Sequence, residues 1–112
     1  MGKLKKYRKI IRHHLLQEAQ KQAVNAPEIK RQLVIDAEEN HFIILVVGWF
    51  KQTYCHHFLY HVELLDKKVW IHEDRTDADL ASTLKDLGIK GKDIVLGFVE
   101  PYAREETEFA VA

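Results

Sequence analysis

Hydrophobic residues recur with two different periods along this chain, and the change from one period to the other separates helix from strand. In the N-terminal part they recur every three or four positions, which predicts an amphipathic helix over residues 3–24. The buried stripe of this helix contains Leu4, Tyr7, Ile11, Leu15 and Ala19. We expect the helix to end at Asn25–Ala26–Pro27, because asparagine accepts the left-handed cap conformation and proline cannot continue a helix.

The next part of the chain shows the two-residue alternation and the continuous apolar runs of β-strands. Strands are predicted over residues 28–36, 41–50 and 53–65, and a fourth strand begins at Lys68. The first strand has one face made of Ile29, Arg31, Leu33 and Ile35. The second is apolar on both faces, so we expect it to be covered on both sides, by helices or by a partner chain.

The third and fourth strands are predicted to form a hairpin around Asp66–Lys67. This pairing brings their hydrophobic positions into register, with four facing pairs: Val69 and Leu64, Ile71 and Val62, Trp70 and Glu63, and His72 and His61. Strict alternation along the third strand predicts two faces. One carries Tyr54, His56, Phe58, Tyr60, Val62 and Leu64, and the other carries Cys55, His57, Leu59, His61, Glu63 and Leu65.

A second helix is predicted after the hairpin, capped by Thr76 or Asp77 and ended by a left-handed turn at Gly88. Its buried stripe consists of Leu80, Ala81, Leu84 and Leu87. Ile94–Val99 is predicted to be a short strand or a buried 3₁₀ segment, and residues 102–112 an extended tail in which Phe109 and Val111 pack. This order predicts a single α+β domain over residues 1–112, with an N-terminal helix, a four-stranded antiparallel meander, a second helix and a short C-terminal strand or tail.

Composition indicates a globular protein and limits its partners. The 112 residues are 46% hydrophobic and 30% charged, and 17 basic residues balance 17 acidic ones, so the net charge does not indicate affinity for nucleic acid. The single cysteine, Cys55, excludes an internal disulfide and fits a reducing cytoplasm. The longest apolar run, residues 42–50, is about half the length of a transmembrane helix. We therefore expect a cytoplasmic protein without membrane contact.

Four potential metal ligands share one predicted sheet face: Cys55, His57, His61 and His72. His57 and His61 would lie about 13 Å apart along the strand, which is too far for one ion. We therefore predict no metal, no cofactor and no catalytic residues. A small metal-dependent enzyme that uses His57, His61 and His72 remains an alternative hypothesis.

The N-terminal helix carries a row of basic residues. Lys5, Lys9 and Arg12 fall on one side of the helix at a spacing that could follow phosphates, and the first twelve residues contain no acid. No known DNA-binding motif accompanies this row. A nucleic-acid-binding subunit that uses this helix is therefore an alternative function.

Large apolar side chains are predicted on the side of the hairpin that faces away from the core. Trp70 and Leu59 would both lie there, and exposed apolar groups are costly unless something covers them. The second helix and the first could provide this cover. If they share the opposite face, the cover must come from another chain, and we expect a homo-oligomer, most simply a dimer.

Several strings resemble the XisI family. They are Val47–Gly48–Trp49, Lys68–Val69–Trp70–Ile71, Asp93–Ile94–Val95–Leu96–Gly97–Phe98 and Glu108–Phe109–Ala110–Val111–Ala112, and the matches continue at Tyr7, Asp36, His61, Asp74, Thr76, Gly88, Pro101 and Arg104. Members of this family are small accessory proteins associated with excision of the fdxN DNA element in cyanobacteria. The resemblance brings no catalytic residues with it.

The resemblance implies a controlling factor for site-specific DNA excision that works by protein–protein contact. The implied partners are a nuclease-fold protein of the XisH type and the recombination machinery, with DNA contact that is weak or indirect. We expect the partner-binding surface to join the exposed side of the hairpin to the C-terminal part of the chain. Its predicted residues are Trp70, Asp74, Asp93, Phe98 and Arg104, the last because a guanidinium suits a carboxylate or phosphate.

Overall fold

The computed structural model describes residues 2–21, 28–76 and 78–112. Within these ranges the chain forms two α-helices, α1 (Gly2–Ala19) and α2 (Leu80–Asp86), and one five-stranded sheet. Its strands are β1 (Lys30–Ile35), β2 (His41–Phe50), β3 (Thr53–Leu65), β4 (Lys68–Asp74) and β5 (Ile94–Leu96). Two 3₁₀-helices, Gly91–Asp93 and Pro101–Glu106, flank β5. The α+β class is confirmed.

The sheet is a meander with one exception to the antiparallel pattern. Strand order follows the sequence, β1-β2-β3-β4-β5, and the first four strands pair antiparallel. β5 pairs parallel to β4 after the α2 connection, with Trp70 opposite Val95. The prediction of a four-stranded antiparallel meander was therefore right for β1–β4 and wrong in treating the sheet as purely antiparallel.

Two-residue turns join the long strands, as the sequence predicts. Asp66 and Lys67 both have positive φ angles, 53° and 64°, which is the backbone of a tight hairpin whose twist matches that of its strands. Lys51 also has a positive φ, 56°, in the turn between β2 and β3. The predicted facing pairs Leu64–Val69, Val62–Ile71 and Glu63–Trp70 are confirmed, because the two residues of each pair lie directly opposite each other on β3 and β4.

The hydrophobic core lies between α1, α2 and one face of the sheet. Tyr7, Ile11 and Leu15 of α1 are buried, as the helical period predicts. From the sheet, the core takes the even positions of β2 and the C-terminal half of β3: Phe42, Ile44, Val46, Tyr60, Val62 and Leu64. Leu33 and Ile35 of β1 and Ile29, just before that strand, pack against the core, which confirms the inner position predicted for these three residues.

A β-bulge at Leu59 changes the faces of β3. The pairing with β2 shifts by one residue there, because Ile44 pairs with Tyr60 while Leu45 pairs with Phe58. Leu59 and Tyr60 are consequently both buried, at 8% and 1% exposure. The predicted faces of β3 were therefore wrong on one side of the bulge, and Leu59 belongs to the core and not to the outer surface.

A second bulge lies in β4. His61 pairs with Glu73, while Val62 pairs with Ile71, so His72 has no directly facing residue. The predicted pairing of His72 with His61 was wrong as a strand register. The two imidazole rings nevertheless lie on the same face, with centroids 4.9 Å apart.

Both helices are shorter than predicted. α1 ends at Ala19, whereas the prediction extended to residue 24; residues 22–27, including the predicted stop at Asn25–Ala26–Pro27, lie outside the described residues. α2 begins at Leu80 with Asp79 as its N-cap, since the Asp79 carboxylate accepts a hydrogen bond from the Ser82 backbone N–H. Thr76 was thus wrongly predicted as the cap, and Asp77 lies outside the described residues.

The C-terminal part is more structured than an extended tail. Residues 101–106 form a 3₁₀-helix, and Ala110 forms a bridge to Val95 at the outer edge of β5. Phe109 packs against the core as predicted, but Val111 and Leu87 are about half exposed, which corrects their predicted burial. Gly88 has φ +121°, so the predicted turn at the end of α2 is confirmed. Over the described ranges, the helices lack the combination of length and apolar character that crossing a membrane requires.

Candidate protein-contact surface

Among the residues that the structure describes, the two α-helices cover one face of the sheet. The other face of β1–β4 has neither of these two helices on it, and Arg104 covers part of it at Trp70. We call this surface the open face; it consists of Lys30, Gln32 and Val34 from β1, His41, Ile43, Leu45, Val47 and Trp49 from β2, Tyr54, His56, Phe58, His61, Glu63 and Leu65 from β3, and Lys68, Trp70, His72 and Glu73 from β4. Its exposed apolar side chains include Trp49 at 55% and Tyr54 at 52% exposure. Their rings contact each other, with centroids 5.2 Å apart.

A polar cluster of three histidines and one glutamate lies within the open face. Glu63 receives contacts from two rings, with His72 Nε2 at 2.8 Å and His41 Nε2 at 3.5 Å from its carboxylate oxygens. His41 Nδ1 lies 3.1 Å from His61 Nε2, a hydrogen bond whose direction depends on the tautomers. Burial lowers the pKa of His61, with further lowering from His72 and His41. The four side chains satisfy one another across β2, β3 and β4.

The structure separates the residues of the metal-enzyme hypothesis. His57 precedes the Leu59 bulge and shares the helix-covered side with Leu59, whereas His61 and His72 lie on the open face. Cys55 lies on the same side as His57. The prediction that these four residues share a face was therefore wrong. In the described part of the chain, histidine, cysteine and carboxylate side chains form no group of three suited to a metal ion.

Arg104 lies beneath the surface and fixes the backbone of the C-terminal part of the chain around it. It is 8% exposed, and its guanidinium donates to three backbone carbonyls: Val99 at 2.9 Å, Val111 at 3.1 Å and Gly97 at 3.4 Å. Its charge also lies over the Trp70 ring, 5.3 Å from the centroid. The guanidinium N–H groups that we predicted to bind a partner's carboxylate or phosphate are therefore already engaged within the chain.

Asp74 and Asp93 are also bonded within the chain. The Asp74 carboxylate accepts hydrogen bonds from the backbone N–H groups of Thr76 and Leu80, at 3.0 and 3.1 Å, so it orders the connection into α2. Asp93 is 5% exposed and accepts the Tyr7 hydroxyl at 2.6 Å, on the helix side of the sheet. The structure therefore does not bring either carboxylate together with Trp70 on one surface.

Of the five predicted partner-binding residues, Phe98 is the most exposed and Trp70 is half-buried. Phe98 is 57% exposed and follows Gly97, whose backbone lies against Trp70 and His72. Tyr102, which sequence reasoning missed, is 78% exposed on the 3₁₀-helix that starts at Pro101. The sequence does contain an indication of this site, because an aromatic residue directly follows Pro101 at the start of the predicted extended tail. We call residues 97–106 the C-terminal segment.

The basic row of α1 is partly engaged by the β1–β2 turn. Arg12 forms an ion pair with Glu39, and Arg8 donates to the Glu39 carbonyl and the Asn40 side chain. Lys5 and Lys9 are exposed on the same side of the helix. Together with Glu39, these basic side chains line an open cleft of about 440 Å³. The predicted alignment of Lys5, Lys9 and Arg12 along one side therefore exists, and one of its charges is neutralised.

These observations define a class of protein: a small two-layer α+β domain with a helical side and an uncovered sheet face. A family model described as XisI protein matches residues 1–111. The chain belongs to the XisI family. Among curated proteins, none matches this sequence.

Two solved structures are similar over almost the whole chain. An XisI-like protein from Anabaena variabilis ATCC 29413 is 32% identical, with a TM-score of 0.87 over 97% of this chain and 99% of that one. The fdxN element excision controlling factor XisI from the same organism is 29% identical, with a TM-score of 0.82 over 98% of this chain and 99% of that one. The resemblance to the XisI family that the sequence suggests is thus confirmed.

Proposed function

We propose that this protein is an XisI-type controlling factor for excision of a DNA element, which acts in the cytoplasm by binding other proteins and catalyses no reaction itself. Membership of the XisI family and likeness to an fdxN element excision controlling factor support this role. The proposed partners are a nuclease-fold protein of the XisH type and the recombination machinery.

The C-terminal segment is the proposed contact surface for that partner. The observation that carries the proposal is a pair of exposed aromatic side chains, Phe98 and Tyr102, on a segment that Arg104 fixes from beneath. Aromatic residues are enriched among the positions that dominate binding energy, because they bury a large area with few rotatable bonds. A segment that is already ordered loses little conformational entropy when it binds.

Trp70 supports this surface from the adjacent strand. Its ring stacks near the Arg104 guanidinium on one side, and the Gly97 backbone lies close to its edge. Asp74, Asp93 and Arg104 then contribute by ordering the chain and not by touching the partner. This assignment revises the predicted set of five and retains Trp70 and Phe98.

Co-purification with a co-expressed XisH-type protein tests the proposal. We expect the wild-type chain to retain this partner and the double variant Phe98→Ser/Tyr102→Ser to lose it, since truncating two aromatic anchors costs about 2 kcal/mol or more each. Leu87→Ser is the matched control, because Leu87 is 48% exposed but follows α2 on the helical side. Retention by the double variant, or loss by the control alone, would contradict the proposed surface.

A nucleic-acid-binding subunit is a second candidate, and the basic cleft beside α1 favours it. If this cleft follows phosphates, Lys5→Ala/Lys9→Ala should weaken retention on DNA and reduce the salt slope by about one per lost phosphate contact. Lys67→Ala/Lys92→Ala, at exposed positions outside the cleft, provides a charge-matched control. Equal salt dependence in the two double variants would remove α1 from DNA binding.

A further inference from the structure

We infer that two copies of this chain associate through the open face, sheet against sheet, to form a symmetric dimer. The open face and the C-terminal segment meet at Trp70, whereas the exposed rings of Phe98 and Tyr102 belong only to the segment, so we expect the dimer to leave these two rings accessible on each copy. The proposed dimer therefore does not depend on the proposed XisH-type partner, and each can be tested without the other.

Exposed apolar side chains are concentrated on the open face. Five of them are between 39% and 55% exposed: Val34, Trp49, Tyr54, Phe58 and Leu65. Ile43, Leu45 and Val47 lie between them on β2 and are half-buried. A continuous apolar surface across three strands is costly in water and is typical of a protein interface.

The dimensions of the open face suit a stable dimer. The four strands are 6, 10, 13 and 7 residues long. At a rise of about 3.3 Å per residue and a spacing of about 4.8 Å, they outline roughly 570 Å² of sheet. Exposed side chains that stand up from this plane add accessible area to it, and a standard interface buries roughly 800 Å² per partner.

The charge distribution favours a second copy as the occupant. Two carboxylates lie on this side of the sheet. Glu63 lies between His72 and His41, and Glu73 forms an ion pair with Arg75, so stacking two faces brings together no unpaired acid groups. Lys30 and Gln32 on β1 provide a polar rim at the outer strand. The whole chain has a formal net charge of zero, so two copies do not repel each other over long range.

Symmetry also fits the shape of the surface. A two-fold interface requires one patch to complement itself, and two open sheets satisfy this by packing face to face at about 10 Å with interdigitating side chains. The rings of Phe58 and His61 meet edge to face with centroids 6.1 Å apart, near the middle of β3. Phe58 is thus placed to pack across the two-fold axis.

Sedimentation of the purified chain without any partner protein tests the inference. We expect a dimer for the wild type at micromolar concentration. Phe58→Glu and, separately, Trp49→Glu should each raise the dimer Kd at least about tenfold, because each buries an unpaired charge in the interface. Circular dichroism and thermal unfolding establish that each variant is folded, and Trp49 lies near a strand end where substitution leaves the core intact.

Leu87→Glu is the control, since it adds the same charge at an exposed leucine on the helical side. This variant should remain a dimer. A wild-type chain that stays monomeric across this concentration range would overturn the inference and leave the open face to a different protein. A dimer that survives both Phe58→Glu and Trp49→Glu would overturn it as well, because the copies would then associate elsewhere.

Discussion

At the scale of single residues, buried polar groups connect parts of the chain that are distant in sequence. The Tyr7 hydroxyl of α1 donates to Asp93, just before β5, across 86 positions. Burial raises the pKa of Tyr7, and its hydrogen bond to Asp93 adds to that shift. Desolvation opposes ionisation of Asp93, but the hydrogen bonds from Tyr7 and Lys3 outweigh it and lower the pKa of that carboxyl. The pair fixes α1 against the C-terminal half of the fold.

Removing this hydrogen bond should destabilise the protein without changing its surface. We expect Tyr7→Phe to lower the free energy of unfolding by about 1.5–3 kcal/mol, as is usual for a hydrogen bond to a charged group. Urea unfolding measures the change. Tyr102→Phe, at an exposed tyrosine, should have little effect. Equal stability of Tyr7→Phe and the wild type would show that Asp93 finds another donor.

Two partly buried histidines predict how stability depends on pH. Burial lowers the pKa of both His14 and His61. An unfolded histidine titrates near pH 6.5. Well above that pH, the two histidines are neutral in both the folded and the unfolded chain, so they do not lower the free energy of unfolding. As the pH falls below about 6.5, the unfolded chain takes up protons that the folded chain does not, and stability decreases.

Thermal unfolding from about pH 7.5 to about pH 5 should therefore show a falling midpoint, and His61→Gln should flatten this decline. His13→Gln, at an exposed position of α1, should reproduce the wild-type profile. A profile for His61→Gln that coincides with the wild type would mean that His61 does not contribute to the pH dependence.

At the scale of elements, turn signals and long apolar runs made the strands predictable, whereas the bulges were not. β2 and β3 have the predicted bounds because two-residue turns at Lys51–Gln52 and Asp66–Lys67 limit them. Around the first bulge, Phe58, Leu59 and Tyr60 are three consecutive large apolar residues, so either alternation satisfies the core. The shift is decided by pairing with β2, which the local pattern does not contain.

The candidate site was harder to predict for a related reason. Asp74, Asp93 and Arg104 are charged residues near turns, which is typical of surface positions. Their hydrogen bonds depend on tertiary neighbours, such as Tyr7 for Asp93 and the Gly97 and Val111 carbonyls for Arg104. Phe98 was identified because it belongs to the Asp93–Phe98 string that resembles the XisI family, whereas the more exposed Tyr102 was missed because residues 102–112 were expected to form an extended tail.

Gly48 is the position in β2 where an element depends on the absence of a side chain. Its φ is +148°, and an added Cβ would lie 2.4 Å from the Glu28 carbonyl oxygen and 2.8 Å from Ile29 Cα. Gly48→Ala should therefore cost more than about 1 kcal/mol in unfolding free energy. Gly2→Ala is the control, since no atom lies within 4 Å of its added Cβ. Denaturant unfolding that ranks the two variants equally would contradict this packing.

At the scale of the whole molecule, three parts of the structure have different roles in this account: the helical layer, the open face and the C-terminal segment. The helical layer closes the core on one side of the sheet, the open face carries the proposed dimer contact, and the C-terminal segment carries the proposed contact with a different protein. Arg104 links the last two surfaces, because it holds the C-terminal segment and lies over Trp70 at the margin of the open face. The two surfaces therefore meet at the contact between Arg104 and Trp70.

Hydrogen–deuterium exchange of the chain, alone and bound to an XisH-type protein, tests most directly whether the protein works through this C-terminal surface. In the free chain, residues 101–106 form only a short 3₁₀-helix, whose hydrogen bonds have poorer geometry than those of an α-helix. Their amides should therefore exchange faster than those of the core strands, which leaves room for protection on binding. We predict that binding slows exchange across residues 97–106 and leaves α2 unchanged. Protection confined to the basic side of α1, with residues 97–106 unaffected, would contradict the proposal.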